Sequence, residues 1–144
     1  MEGGKPKLND HIENVLPHRK PFLFISCVKK SKDHLKVEGE YQINHDNNYL
    51  IDIDGKKLFP SVLVVESLAQ LGAFTEVEIT TEEQSELVFL VGLQEIQFIR
   101  PIYAGDLVTL KVEVLRKRRG LTLIEGTAIV NGENVVKGII KTKS

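Results

Sequence analysis

The chain contains one cysteine, Cys27, among 144 residues. A single thiol excludes an internal disulfide and argues against a structural zinc site. The chain has no excess of charge of either sign. Its 19 Lys and Arg stand against 20 Asp and Glu, a formal net charge of −1. That balance gives no global reason to expect a nucleic-acid partner. No apolar run reaches the ~18 residues that a membrane-spanning helix needs. The start, Met1-Glu2-Gly3-Gly4-Lys5-Pro6-Lys7, lacks the apolar stretch of a signal peptide. Residues 1–8 are expected to form a short flexible tail, and a cytoplasmic location follows from these absences. There is no internal repeat and no low-complexity segment, and no motif calls for a cofactor or a metal.

What is present fits one domain, residues 9–144, long enough for a proper core. Hydrophobic residues make 42% and charged residues 27%, an ordinary globular balance. A weak helix signal runs from Asn9 to Val15, before Pro17. Phe22 to Lys30 and His34 to Ile43 are strand-like, joined by the polar Ser31-Lys32-Asp33, an order that fits a hairpin. Cys27 falls in the first run and reads as a small core residue. Asn44 to Lys57 is polar and irregular, with turn signals at Asn47-Asn48 and Asp54-Gly55. After a polar break at Thr80 to Glu86, Leu87 to Phe98 is another strand, with turn elements at Arg100-Pro101 and Ala104-Gly105-Asp106. The clearest β pattern follows: Val108, Leu110, Val112 and Val114 alternate with polar residues. Arg116-Lys117-Arg118-Arg119-Gly120 ends that strand in a turn. Leu121 to Val130 returns, Asn131-Gly132 is a favoured hairpin turn, and Val135 to Lys141 closes the series. Strands, one helix, then about four antiparallel strands is an α+β order. Its compact solution wraps one antiparallel sheet around one long central helix.

That helix starts at Leu58-Phe59-Pro60-Ser61 and is expected to reach about Glu78. Pro60 suits a first turn, where its missing N–H costs nothing. Val62, Val65, Leu68, Ala69 and Gly72 recur at helical spacing, while Leu63, Val64 and Leu71 fill much of the other side. A helix buried nearly all round is therefore expected. Glu66 stands in its middle, where a carboxylate must be paired, hydrogen-bonded or protonated. Gln70, at i+4, is placed to bond it. The plain structural alternative is that Glu66 reaches the edge of the core and pairs with a lysine.

Four motifs in register resemble one family. Leu16-Pro17-His18-Arg19-Lys20-Pro21-Phe22-Leu23 resembles the opening "LPHRxPFL" of the FabZ-type (3R)-3-hydroxyacyl-acyl-carrier-protein dehydratases. Phe59 to Gln70 resembles their "MPGVLxxEALAQ" helix. Phe89-Leu90-Val91-Gly92 with Phe98-Ile99-Arg100-Pro101 and Gly105-Asp106 resembles their "FxxxFxxPVxPGD" stretch. Arg118-Arg119-Gly120 resembles their basic hairpin turn. The resemblance spans about Ile12 to Lys141. It implies the hotdog fold, a homodimer or larger homo-oligomer with a site shared between chains, and acyl carrier protein or coenzyme A thioesters as ligands. The family's catalytic histidine, fourteen residues before the glutamate, falls on Asp52 when counted without a gap. Two motif prolines fall on Asp54 and Lys57, and the helix-start glycine on Ser61.

Dehydration of a 3-hydroxyacyl thioester needs a base for the proton beside the carbonyl, an acid for the departing hydroxyl, and N–H donors for the developing negative charge. The resemblance assigns Glu66 as acid, puts Asp52 in the base position, and gives substrate binding to Ser61, Val62 and Gln70. An ordinary aspartate, with a pKa of about 3.9, is a weaker base than a histidine at about 6.5. Two other functions stay open: a thioesterase using Asp52, and a non-catalytic acyl-binding or assembly subunit paired with a histidine-bearing partner. His45 reads as a surface residue. His18 reads as ordering the N-terminal turn, and His11 and His34 carry no signal. The basic run Arg116, Lys117, Arg118 and Arg119 reads either as a solvated hairpin end or as a docking site for an acidic carrier. Lys56 and Lys57 are further docking candidates.

Overall fold

The computed structural model describes residues 12, 19, 22–30, 35–76 and 89–143. The expected N-terminal tail, the polar break at 80–86, most of the opening motif, and His11, His18 and His34 lie outside the described residues. Ile12, within the expected first helix, is helical and buried.

The strands are β1 (Cys27–Lys30), β2 (Lys36–Gln42), β3 (Ile51–Ile53) and β4 (Lys56–Phe59) before the helix α1 (Ser61–Gly72). After it come β5 (Phe89–Phe98), β6 (Ile102–Tyr103), β7 (Leu107–Arg118), β8 (Leu121–Val130) and β9 (Glu133–Lys143). Six of them form one antiparallel sheet in the order β1-β2-β7-β8-β9-β5, and β3-β4-β6 form a small second sheet. The expected hairpin between the first two runs is present, with Cys27 opposite Glu40 and Lys30 opposite Val37.

The alternation of β7 and β8 sorts their side chains. Val108, Leu110, Val112 and Val114 are buried, as are Ile124, Gly126, Ala128 and Val130. This row faces α1. Close approach is possible because Gly126 has no side chain: a Cβ there would stand 3.0 Å from Leu68 Cδ1. The helix answers with Val64, Leu68 and Leu71, all buried. Burial of a Leu or Val side chain contributes about 1.5–3 kcal/mol, so this seam dominates the core. The resulting α+β wrap is the architecture that the sequence pattern implies.

Two expectations are corrected. Asn44 to Lys57 is not wholly irregular, because Ile51–Ile53 and Lys56–Phe59 pair as a short hairpin. Its turn is Asp54-Gly55, both residues at positive φ (52° and 81°), the left-handed pair that a two-residue hairpin turn requires. The α-helix also stops at Gly72, short of Glu78, and passes into a 3-10 turn, Ala73–Glu76. There the Thr75 hydroxyl donates to the Gly72 carbonyl at 2.7 Å, taking up one of the carbonyls that a helix end leaves over. Among the described residues, no helix is long and apolar enough to cross a membrane.

Candidate active site

A groove of about 570 Å³ runs between α1 and β5. The helix contributes Val62, Leu63, Val65 and Glu66. Leu90, Leu93 and Phe98 of β5 form the facing wall. Phe22, Phe24 and Tyr49 complete the lining. Such a volume and apolar lining fit a small-molecule site with few polar groups.

Glu66 is half-buried rather than enclosed, and Val62 is 63% exposed, so α1 is not covered all round. The physical reason is topological: the side of α1 turned away from the β7–β8 seam opens onto the groove. Gln70 lies behind Glu66, only 2% exposed. Its Oε1 accepts from the Phe24 N–H at 2.9 Å, and its Nε2 donates to the Phe22 carbonyl at 2.9 Å. The same nitrogen reaches Glu66 Oε1 at 3.5 Å, the outer limit of a hydrogen bond. Gln70 thus locks the segment around Phe22 to the helix and orients Glu66 from behind. It does not line the groove.

The helix starts at the groove as well. Pro60 is its N-cap, one position earlier than the first-turn place that its chemistry suggests, and makes no side-chain cap bond. The Leu63 N–H bonds the Pro60 carbonyl at 3.0 Å. Ser61 and Val62 precede Leu63 in that first turn, whose N–H groups carry the positive end of the helix dipole.

Asp52 lies elsewhere. It is exposed on β3, opposite Lys57 of β4. Its Oδ1 accepts from the Gly55 N–H at 3.0 Å, which closes the hairpin turn. The chain brings Glu66, Gln70 and Val62 together, but does not bring Asp52 into the same groove. His45 is exposed and packs against the turn at Gly105, where a Cβ would stand 3.2 Å from its Nε2.

Two features were not legible beforehand. The first is the aromatic cluster behind the groove. The ring centroids of Phe24 and Tyr49 are 5.4 Å apart, those of Tyr41 and Phe59 5.7 Å. Asn47 ties this cluster to its loop. Its Nδ2 donates to the Tyr41 hydroxyl at 2.9 Å, and its Oδ1 accepts from the Tyr49 N–H at 2.9 Å. Burial pushes the Tyr41 phenol above its ordinary pKa, and the Asn47 bond partly offsets that. The second is a basic strip. Arg116 and Lys141 flank Leu123, and Arg118 and Lys143 flank Leu121, on the sheet face turned from the helix. Lys141 and Lys143 add two cations to the two, Arg116 and Arg118, that the hairpin presents on this face. Arg119 takes the turn, at φ 51°. Lys56 and Lys57 stand exposed on β4. Among the described residues, no group of three or more His, Cys, Asp or Glu is arranged to hold a metal.

A sheet wrapped on one helix, with a carboxylate on that helix facing a groove, defines a hotdog-fold protein. Its fold is shared with a solved structure of the dehydratase heterocomplex ApeI:P from Xenorhabdus doucetiae, at TM-score 0.78 and 20% identity, covering 92% of this chain and 90% of that one. A family model for a FabA-like domain matches residues 16–139. The chain is 34% identical over 137 residues to the 3-hydroxyacyl-[acyl-carrier-protein] dehydratase FabZ of Haemophilus influenzae, covering 92% of each. It is 32% identical over 128 residues to the FabZ of a Roseiflexus species, covering 88% of this chain and 89% of that one. The chain belongs to the FabA-like family, among the FabZ-type dehydratases.

Proposed function

We propose that this chain binds acyl thioesters and interconverts 3-hydroxyacyl and 2-enoyl thioesters, with Glu66 as the proton-carrying carboxyl. The observation that carries this reading is Glu66, in the middle of α1, facing an apolar groove and oriented from behind by Gln70. The first-turn amides of Ser61 and Val62 are the donors for the thioester carbonyl. The basic strip of Arg116, Arg118, Lys141 and Lys143, with Arg119, suits an acidic acyl carrier protein better than Lys56 and Lys57 do. Lys57 already faces a carboxylate, whereas the strip rows run on to Gly92 and Phe89 of β5, the strand that walls the groove. The test is incubation of the pure protein with crotonyl and 3-hydroxybutyryl thioesters. Interconversion is expected. Release of free thiol indicates a thioesterase instead, and inertness sinks the enzymatic reading.

A second reading has its own observation. Asp52 is spent on its own turn and lies outside its own groove. Any part it takes in proton transfer is therefore played in a neighbouring protomer's groove. A relative of the same fold is described as a dehydratase heterocomplex. In this reading the chain supplies a Glu66 half-site to a histidine-bearing partner.

The second reading requires assembly, and an exposed sheet edge offers the surface for it. β5 is an edge strand of ten residues, and Phe89, Leu90, Val91, Leu93 and Phe98 on it are exposed. A long apolar edge is a pairing surface. Sedimentation at micromolar concentration is expected to show a dimer or larger species. A stable 16.2 kDa monomer would rule out a shared site.

A further inference from the structure

Among the described residues lining the groove that holds Glu66 there is no imidazole, but there is a second proton carrier. Among the described residues lining it, the only polar side chains are those of Glu66 and Tyr49. Tyr49 is held there by design of its loop. Its N–H bonds Asn47 Oδ1, and its ring packs on Phe24. The Phe24 N–H in turn bonds the same Gln70 that backs Glu66. Tyr49 and Glu66 are thus referenced to one another through two residues, the ring and backbone N–H of Phe24 and the side chain of Gln70. The Tyr49 ring is half-buried, and no described residue hydrogen-bonds its hydroxyl. A phenol on an otherwise apolar surface offers an O–H proton donor.

We propose that Tyr49 is a catalytic residue, the acid that protonates the departing hydroxyl, in partnership with Glu66. The inference rests on the proposed dehydration. With Asp52 outside the groove, Glu66 is the only described carboxylate lining it, and it takes the base role in the dehydration direction. The Glu66 carboxylate takes the proton from C2, whose electron pair forms the C2–C3 double bond. The C3–O bond breaks, and the Tyr49 phenol gives its proton to the leaving oxygen, releasing water. The proton on Glu66 then passes to the Tyr49 phenolate, which restores both groups. In hydration the same steps run backwards. A positioned acid of this kind contributes about 10²–10⁴ in rate.

The test compares the wild-type chain, Tyr49→Phe and Glu66→Gln on 3-hydroxybutyryl-coenzyme A. A second assay follows deuterium exchange at C2 of butyryl-coenzyme A, which has no leaving hydroxyl and needs only the base. Tyr49→Phe preserves the ring contact with Phe24, so the thermal midpoint should stay within about two degrees of wild type, as for a change that removes no packing. Dehydration is expected to fall about 100-fold in kcat with KM within threefold, while C2 exchange persists. Glu66→Gln should lose both. If Tyr49→Phe dehydrates like wild type while Glu66→Gln is inactive, the tyrosine assignment is overturned and the dehydratase reading stands. Equal losses of exchange and dehydration in Tyr49→Phe also overturn it. A wild-type chain that performs neither reaction removes the proposed function and this assignment together.

Discussion

Glu66→Gln is expected to lower the interconversion of 3-hydroxyacyl and enoyl thioesters by at least about 100-fold while leaving the fold intact. The two side chains have the same shape. A glutamine carbonyl still accepts from Gln70 Nε2, so the contact behind the helix survives. Glu66 is half-buried at a groove and is not part of the sealed seam of Val64, Leu68 and Leu71. Its replacement therefore leaves no cavity, a usual source of large stability losses. What disappears is the only group on α1 able to accept and return a proton in the groove. The check is kcat for crotonyl hydration beside a thermal melt of the same sample. Turnover within threefold of wild type would end the case for Glu66 as proton carrier. A collapse of the melt would show the residue to be structural, as the edge-of-core alternative holds.

The parts of the fold visible in the sequence are those whose physics is local. Val108 to Val114 alternate because one face of β7 meets the helix, and a period of two is written directly in the residues. Asn131-Gly132 and Arg119-Gly120 both adopt paired positive φ, about 51° then 80°, which their terminal glycines announce. Asp54-Gly55 carries the same signal, yet its hairpin stayed hidden. Its strands are three and four residues long, and Lys56, Lys57 and Asp52 obscure any alternation. The end of α1 was equally illegible. Phe74 is buried like a helical core residue, but the change to a 3-10 turn depends on the Thr75 hydroxyl finding a carbonyl. The helical half of the site was readable, because Glu66 and Gln70 are four apart on one element. The groove was not. Its walls come from Phe24, Tyr49 and Leu93, two loop residues and a strand residue far apart in sequence that only the folded chain brings together. An exposed Leu93 and a buried Leu68 look alike in one dimension. Tyr49 sits in a polar stretch and signalled nothing until the loop placed it against Phe24.

Gly138→Ala is expected to destabilise the protein by about 1–3 kcal/mol, the range for overpacking a well-filled site, and to weaken acyl binding with it. Gly138 is on β9, opposite Gly126 of β8 and facing the core. Beside it, β5 breaks register between Gln94 and Gln97, and Glu95 takes φ 53°. A bulge of this kind bends the strand and re-aims its side chains. Here it lets β5 cross directly over Gly138. A Cβ at 138 would overlap Ile96 Cδ1, stand 2.9 Å from the Ile96 Cα and 3.2 Å from the Glu95 carbonyl oxygen. The methyl end of an isoleucine can rotate away, but a backbone Cα cannot. The strand itself must move, and Leu93 and Phe98, on either side of the bulge, move with it out of the groove wall. Gly92→Ala on the same strand is the control. Its added Cβ would meet only Lys141 side-chain atoms at 3.6 and 3.8 Å, ordinary contact, so its effect should stay within about 0.5 kcal/mol. Urea midpoints of the two variants, with titration of an unreactive acyl-amide analogue, decide the matter. If Gly138→Ala matched Gly92→Ala in both measurements, the bulge would be yielding rather than rigid. The wall of the groove would then not depend on the missing side chain at 138.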